Sequence, residues 1–253
     1  MPRTLTYFDA DGAVNKFGAA PDGIQDVPTD IWDRANDTPT QSVWIAPTEA
    51  RVHTLATTSA ADALNGTGIS SVKVYYLPDW DTVEATETVT GLNTTGIAME
   101  NSAVIIHRMK VIPQATTTAV GGNHGTITAT AADDATITAA ILPNNGQTEM
   151  AIYGVPSTQT AYMYAWHAQI DKATGGVASA DFRLRVNENP DVQLLAFLRK
   201  DDISVQSTGT NSRSKEFFPP NKFPGPCIIK VEAIASADDI DGEAGFDLIL
   251  VNK

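Results

Sequence analysis

Four histidines, one cysteine and a run of acids are the residues that could do chemistry in this chain, and their spacing argues against most of it. His53, His107, His124 and His167 never stand two or four positions apart, so no two share a local face as a pair of metal ligands would. His107, in VIIHRMKV, keeps period with Ile105, Met109 and Val111 and reads as an interior or interface imidazole. His124 sits in GGNHG, which lacks the GxxxxGK[ST] pattern and a following helix, and reads as flexible linker rather than a phosphate loop. Asp238, Asp239, Asp241, Glu243 and Asp247 offer hard oxygen ligands for calcium without completing an EF-hand loop. A solvated hairpin turn between CIIKVEAIAS and GFDLILVN accounts for the same residues. Cys227, the single cysteine, excludes an intrachain disulfide and reads as a small buried hydrophobe. No GxSxG elbow appears and the threonines alternate as structural positions do, so no catalytic residue, metal ligand or cofactor is assigned and no enzyme is expected.

Aromatic residues offer a different chemistry. In NGQTEMAIYGVPSTQTAYMYAWHAQI, strict alternation along a strand puts Tyr162, Tyr164 and Trp166 on one face. Exposed, such a ladder is a sugar platform; covered, it is core or a subunit interface, and the covered reading is preferred because the other face also carries packable alanines and a methionine. Tyr7, Phe8, Phe17 and Trp32 punctuate a first stretch of forty residues rich in Gly, Pro and Asp. That stretch shows no sustained period and reads as an extended arm whose rings plug into the protein's own surface or a neighbour's.

The elements that must carry these residues are strands. RVHTLATTS, SSVKVYYL, VEATETVTG, NSAVIIHRMKVI, TAYMYAWHAQI, SADFRLRVN and CIIKVEAIAS are rich in Val, Ile, Thr and Tyr and bounded by turn residues. TITATAADDATITAAIL is nearly symmetric about Asp133 and Asp134 and predicts a hairpin. Only Val192 to Lys200 leaves a short helix in competition with a strand. The fold class expected is all-β: two antiparallel β-sandwich or jelly-roll-like domains, residues 41–115 and 116–253, behind an extended N-terminal arm over residues 1–40. Trp44, Pro47, His53 and Gly66 recur as Tyr153, Pro156, Tyr162 and Gly175, and Val72 and Val74 answer Phe182 and Leu184. This suggests two versions of one unit.

Composition narrows the partners. The 253 residues carry 17 Lys and Arg against 30 Asp and Glu, a net charge of −13, which repels phosphate backbones and anionic lipid. Neither direct nucleic-acid binding nor a membrane partner is expected. The beginning lacks a secretory pattern, which predicts synthesis in the cytosol.

The segments APTEARVHTLATTSA (46–60), GTGISSVKVYYLPDWD (66–81), NSAVIIHRMKVI (101–112), HGTITATA (124–131), NGQTEMAIYGVPSTQTAYM (145–163) and AGFDLILV (244–251) resemble a family of virion structural proteins of marine and cyanobacterial tailed phages, particularly short-tailed ones. The resemblance spans residues 30–253 and is most specific at GQTEMAIYGVPSTQTAY. It implies a β-rich, non-enzymatic particle component located in the virion, with other virion proteins as partners, either major capsid protein or neck and tail subunits, and assembly into a homo-oligomer. A capsid decoration or cement protein is the first expectation. A neck or tail component or a carbohydrate-binding receptor module comes next, and a glycan-cleaving virion enzyme last.

Overall fold

Alternating Thr and apolar residues build the strands as expected, since β-branched side chains pack well on a pleated, half-buried surface. The computed structural model describes residues 12–33, 41–114, 122–171, 178–208, 211–237 and 240–253. Apart from one 3-10 turn at Ala60–Asp62, the regular elements among these are strands.

Seven strands form the first sandwich: β3 (Arg51–Thr57), β4 (Ser71–Leu77), β5 (Ala85–Thr90), β6 (Ile97–Ala103), β7 (Ile105–Ile112), β8 (Ile127–Ala131) and β9 (Ile137–Ile141). Its sheets run β6-β3-β8-β9 and β5-β4-β7. The second is built from β10 (Ile152–Val155), β11 (Gln159–Asp171), β12 (Ser179–Asn187), β13 (Leu198–Gln206), β14 (Ser212–Pro224), β15 (Cys227–Ala235) and β16 (Ile240–Asn252), joined by β1 (Gly12–Ile24) and β2 (Thr29–Asp30). Its sheets run β1-β16-β11-β14 and β10-β15-β12-β13, with β2 also on β15. The buried faces of all four sheets join in one apolar cluster.

Strand order repeats between the two sandwiches. β6-β3-β8 is matched by β14-β11-β16, and β5-β4-β7 by β13-β12-β15. Register repeats too: Val72 stands opposite Val89 and Val111, and Phe182 opposite Ile203 and Ala233. The Val72/Phe182 and Val74/Leu184 correspondences read from sequence are therefore positional equivalents. His53 and Tyr162 are not, because His53 is fully buried while Tyr162 is only half-buried, on the outward side of its strand.

Several expectations need correction. Residues 12–24 are not an irregular arm but a strand paired with β16 from Gly12 opposite Leu250 to Ile24 opposite Ile240. β1 takes beside β16 the place that β9 takes beside β8. The first sandwich does not end near residue 115, because β8 and β9 rejoin β3 beyond that point. Asp241 and Glu243 do not sit in a hairpin turn: β15 and β16 belong to different sheets, and Asp238 and Asp239 lie outside the described residues. Val192 to Phe197 forms turns rather than helix, and β13 starts at Leu198. The hairpin about Asp133 and Asp134 is present, with Asp133 at φ 64° and Ala135 at φ 54° making the reversal.

Two polar knots hold this fold. Asp62 is fully buried; its carboxylate accepts from Thr57 Oγ1 (3.0 Å), Ile69 N (3.2 Å), His124 N (2.8 Å) and Gly125 N (2.7 Å). The GGNHG segment is thus pinned at His124 and Gly125 instead of serving as free linker. Lys230 on β15 donates to Asp30 Oδ2 at 2.5 Å and lies 4.5 Å from the centre of the Phe197 ring. The same Asp30 oxygen accepts from Trp44 N at 2.7 Å, so one carboxylate joins β2, β15 and the approach to the first sandwich.

His53, buried in β3, gives a direct pH test. Its Nδ1 lies 3.0 Å from the Arg51 carbonyl, and burial lowers its pKa to about 4. The folded protein therefore refuses a proton that the unfolded chain takes up below its ordinary pKa, so this group's contribution to stability falls as pH drops from about 6.5 to 4. In His53→Gln, unfolding free energies measured by urea titration across that window should lose about one proton of pH slope; an unchanged slope would refute the assignment.

Candidate functional site

The aromatic ladder does not exist as strict alternation predicts. Met163 pairs with Leu248 and Ala165 with Asp247, so Tyr164 is an extra residue, a β-bulge, relative to β16. The bulge shifts the inward phase: Ala161 and Met163 point to the core before it, Trp166, Ala168 and Ile170 after it. Trp166 is 0% exposed and its Nε1 donates to Asp201 at 3.0 Å across the sandwich, whereas Tyr164 is 39% exposed and Tyr162 half-buried. A sugar platform of three rings is excluded on this strand.

Of the aromatics assigned to the arm, Trp32 is fully buried, bridging to Met150, and Phe17 is half-buried in β1. These two are seated on the protein's own surface; Tyr7 and Phe8 lie outside the described residues. Cys227 is buried, its thiol pushed up to about 12 mainly by desolvation, so it is not poised as a nucleophile. Among the described residues no group of three or more His, Cys, Asp or Glu could hold a metal ion.

Opposite Tyr164, β14 carries four residues between the pairings Ala165 with Glu216 and Met163 with Asn221: Phe217, Phe218, Pro219 and Pro220. Phe217 packs toward the core while Phe218 is fully exposed, at 102%. β13 and β14 are the edge strands on one side of the second sandwich, and exposed Val192, Leu195 and Leu198 precede or open β13. Two consecutive prolines, lacking N–H groups, prevent this stretch from simply accepting another strand. A partner must meet it through side chains.

A second feature arises where the sandwiches meet. A cleft of about 780 Å³ lies between β1, the β4–β5 region, β7 and the start of β10, lined by Lys16, Tyr75, Glu84, His107, Arg108 and Tyr153 among others. Lys16, 3% exposed, donates from β1 to the His107 carbonyl of β7 at 2.6 Å, tying the N-terminal strand to the first sandwich. Burial, with the neighbouring Arg108 charge, lowers its pKa to about 7, while Glu84 and Asp33 act in the opposite sense. His107 Nδ1 accepts from Gly154 N at 3.3 Å, which leaves the ring hydrogen on Nε2. That Nε2 has no hydrogen-bond partner and stands 3.9 Å from Glu84 Oε2. Desolvation first, then Lys16 and Arg108, hold the imidazole well below its usual pKa, hence neutral. Tyr153 lies against the same ring, centroids 4.3 Å apart.

Sequence reading placed His107 indoors but missed this cleft, because Lys16 lay in the supposed arm and Glu84 in the strand expected over VEATETVTG, whereas β5 begins only at Ala85. The one legible signal was the lone charge, Lys16, in GAVNKFGAA.

No family model matches the chain, and no curated protein matches it. Among solved structures, that of the infectious bursal disease virus VP2 subviral particle aligns over 99% of this chain and 74% of its own, at 9% identity and a TM-score of 0.21, a score too low to establish a shared fold.

Proposed function

We propose that this protein is a non-enzymatic structural component of a tailed-phage particle, a decoration protein that cements the capsid by bridging shell subunits. The observation that carries the reading is the Phe218 protrusion on an edge strand, with Val192, Leu195 and Leu198 also exposed on this sandwich. Apolar side chains exposed along one edge of a sandwich offer a contact surface to a partner, and a bridging subunit supplies one. The resemblance of GQTEMAIYGVPSTQTAY and the other quoted segments to phage virion proteins points to the particle as the place where that partner resides. An acidic exterior keeps assembled surfaces from adhering to nucleic acid.

Electron microscopy of intact particles tests this directly. The expected result is hundreds of copies on the shell with Phe218 facing a capsid subunit; a single ring at the neck or tail would overturn the decoration role. Phe218→Ser with Leu195→Ser should leave stability within about 0.5 kcal/mol, since both side chains are exposed, yet sharply reduce occupancy on particles. Full occupancy of the double variant would remove this edge as the attachment surface.

A further inference from the structure

The cleft between the sandwiches carries an inference independent of the capsid reading. His107 Nε2–H is a buried donor without a partner, and the Glu84 carboxylate opposite it, at 3.9 Å, is too far for a direct hydrogen bond. An oxygen set off the line between them reaches both. It must accept from the imidazole and donate to the carboxylate, which is the pattern of a water or of a ligand hydroxyl that displaces it. Beside this pair, Lys16 uses one N–H on the His107 carbonyl and Arg108 one on the Asn15 carbonyl (3.3 Å), leaving further N–H groups of both cations. With Lys16 protonated, the two cations against the single Glu84 carboxylate give the lining a surplus of one positive charge; burial and Arg108 weaken that protonation, and one anionic group both restores it and balances the surplus. Tyr75, Val83 and Leu250 complete an apolar wall, and the volume, about 780 Å³, falls within the range of small-molecule sites.

We propose that this cleft binds a hydroxylated monocarboxylate of the acidic-sugar class, a hydroxyl bridging His107 and Glu84 and the carboxylate meeting Lys16 and Arg108. Arg108 suits that role because a guanidinium offers paired donors to a planar carboxylate. The site meets the aromatic strand only at Gln159 and uses none of its rings.

The test is calorimetric titration of the full chain with D-glucuronate, with glucose and acetate as its two half-chemistries. Saturable one-to-one binding of glucuronate, about tenfold or more tighter than either control, is expected. Arg108→Gln and Glu84→Gln, both at partly exposed positions, should each weaken it about tenfold while the circular-dichroism melt remains cooperative. Absence of saturable binding, acetate equalling glucuronate, or a cooperatively folded Arg108→Gln that binds as the parent does would each overturn the proposal. None of these results bears on where the protein sits in a particle.

Discussion

Asp62→Ala should be among the most destabilising single substitutions in the first sandwich, costing on the order of 4 kcal/mol. The carboxylate receives three backbone N–H groups and one hydroxyl from segments far apart in sequence. Removing it leaves buried donors with nothing to accept them, and each such orphan costs about 1–3 kcal/mol, partly relieved by water. Asp62→Asn should be nearly as damaging, since the new amide nitrogen is a donor facing donors. Equilibrium urea unfolding measures both. A loss under about 1 kcal/mol in the alanine variant would show that the loops at 58–70 and 122–126 do not depend on this acceptor.

The second large effect lies in the buried ion pair. Lys230→Met alone should cost about 3–5 kcal/mol, because Asp30 would remain buried with its charge uncompensated. Burial already raises the Asp30 pKa, opposed chiefly by Lys230, so removing the lysine drives the carboxyl toward its neutral form. The double variant Lys230→Met with Asp30→Asn should recover much of the loss, as replacing both charges avoids the unpaired one, although the accepting oxygen for Trp44 N must be kept by the amide carbonyl. A double-mutant cycle by chemical denaturation is the measurement; strictly additive losses would mean that the two groups do not act as a pair.

Strands whose faces obey ordinary patterning were legible from sequence. SSVKVYYL buries Val72, Val74 and Tyr76, and ITATA buries Ile127, Ala129 and Ala131, each with partly exposed residues between. β1 was not legible because its inward side is crowded by backbone. A side chain at Gly18 would come within 2.4 Å of Ala151 N and 2.6 Å of the Ile31 carbonyl, so the strand carries Gly18 and Ala20 where pattern reading looks for Val or Leu. The remaining inward position nearby is Lys16, whose ammonium serves a carbonyl rather than solvent.

β14 escaped notice for the opposite reason: it is an edge strand, mostly exposed, with no inward stripe to announce it. The aromatic ladder failed on a single residue, since a bulge is set by the mismatch between β11 and its neighbours and leaves no mark in the alternation of β11 itself. Nor could the cleft be read in advance. Lys16, Glu84 and His107 belong to three separate stretches, and only the pairing of β1 with β16 brings the first of them to the other two.

That pairing also sets a timetable for folding. All strands of the first sandwich occur in sequence between Arg51 and Ile141, so that half can close while the ribosome is still extending the second. β1 is translated before any of them, yet its hydrogen-bonding neighbour begins at Ile240, tens of seconds later at ordinary elongation rates. During that interval the nascent strand has its backbone groups unpaired, the condition under which strands find wrong partners. Its composition suits the wait: glycines, alanines, a proline and a lysine make a poor template for aggregation.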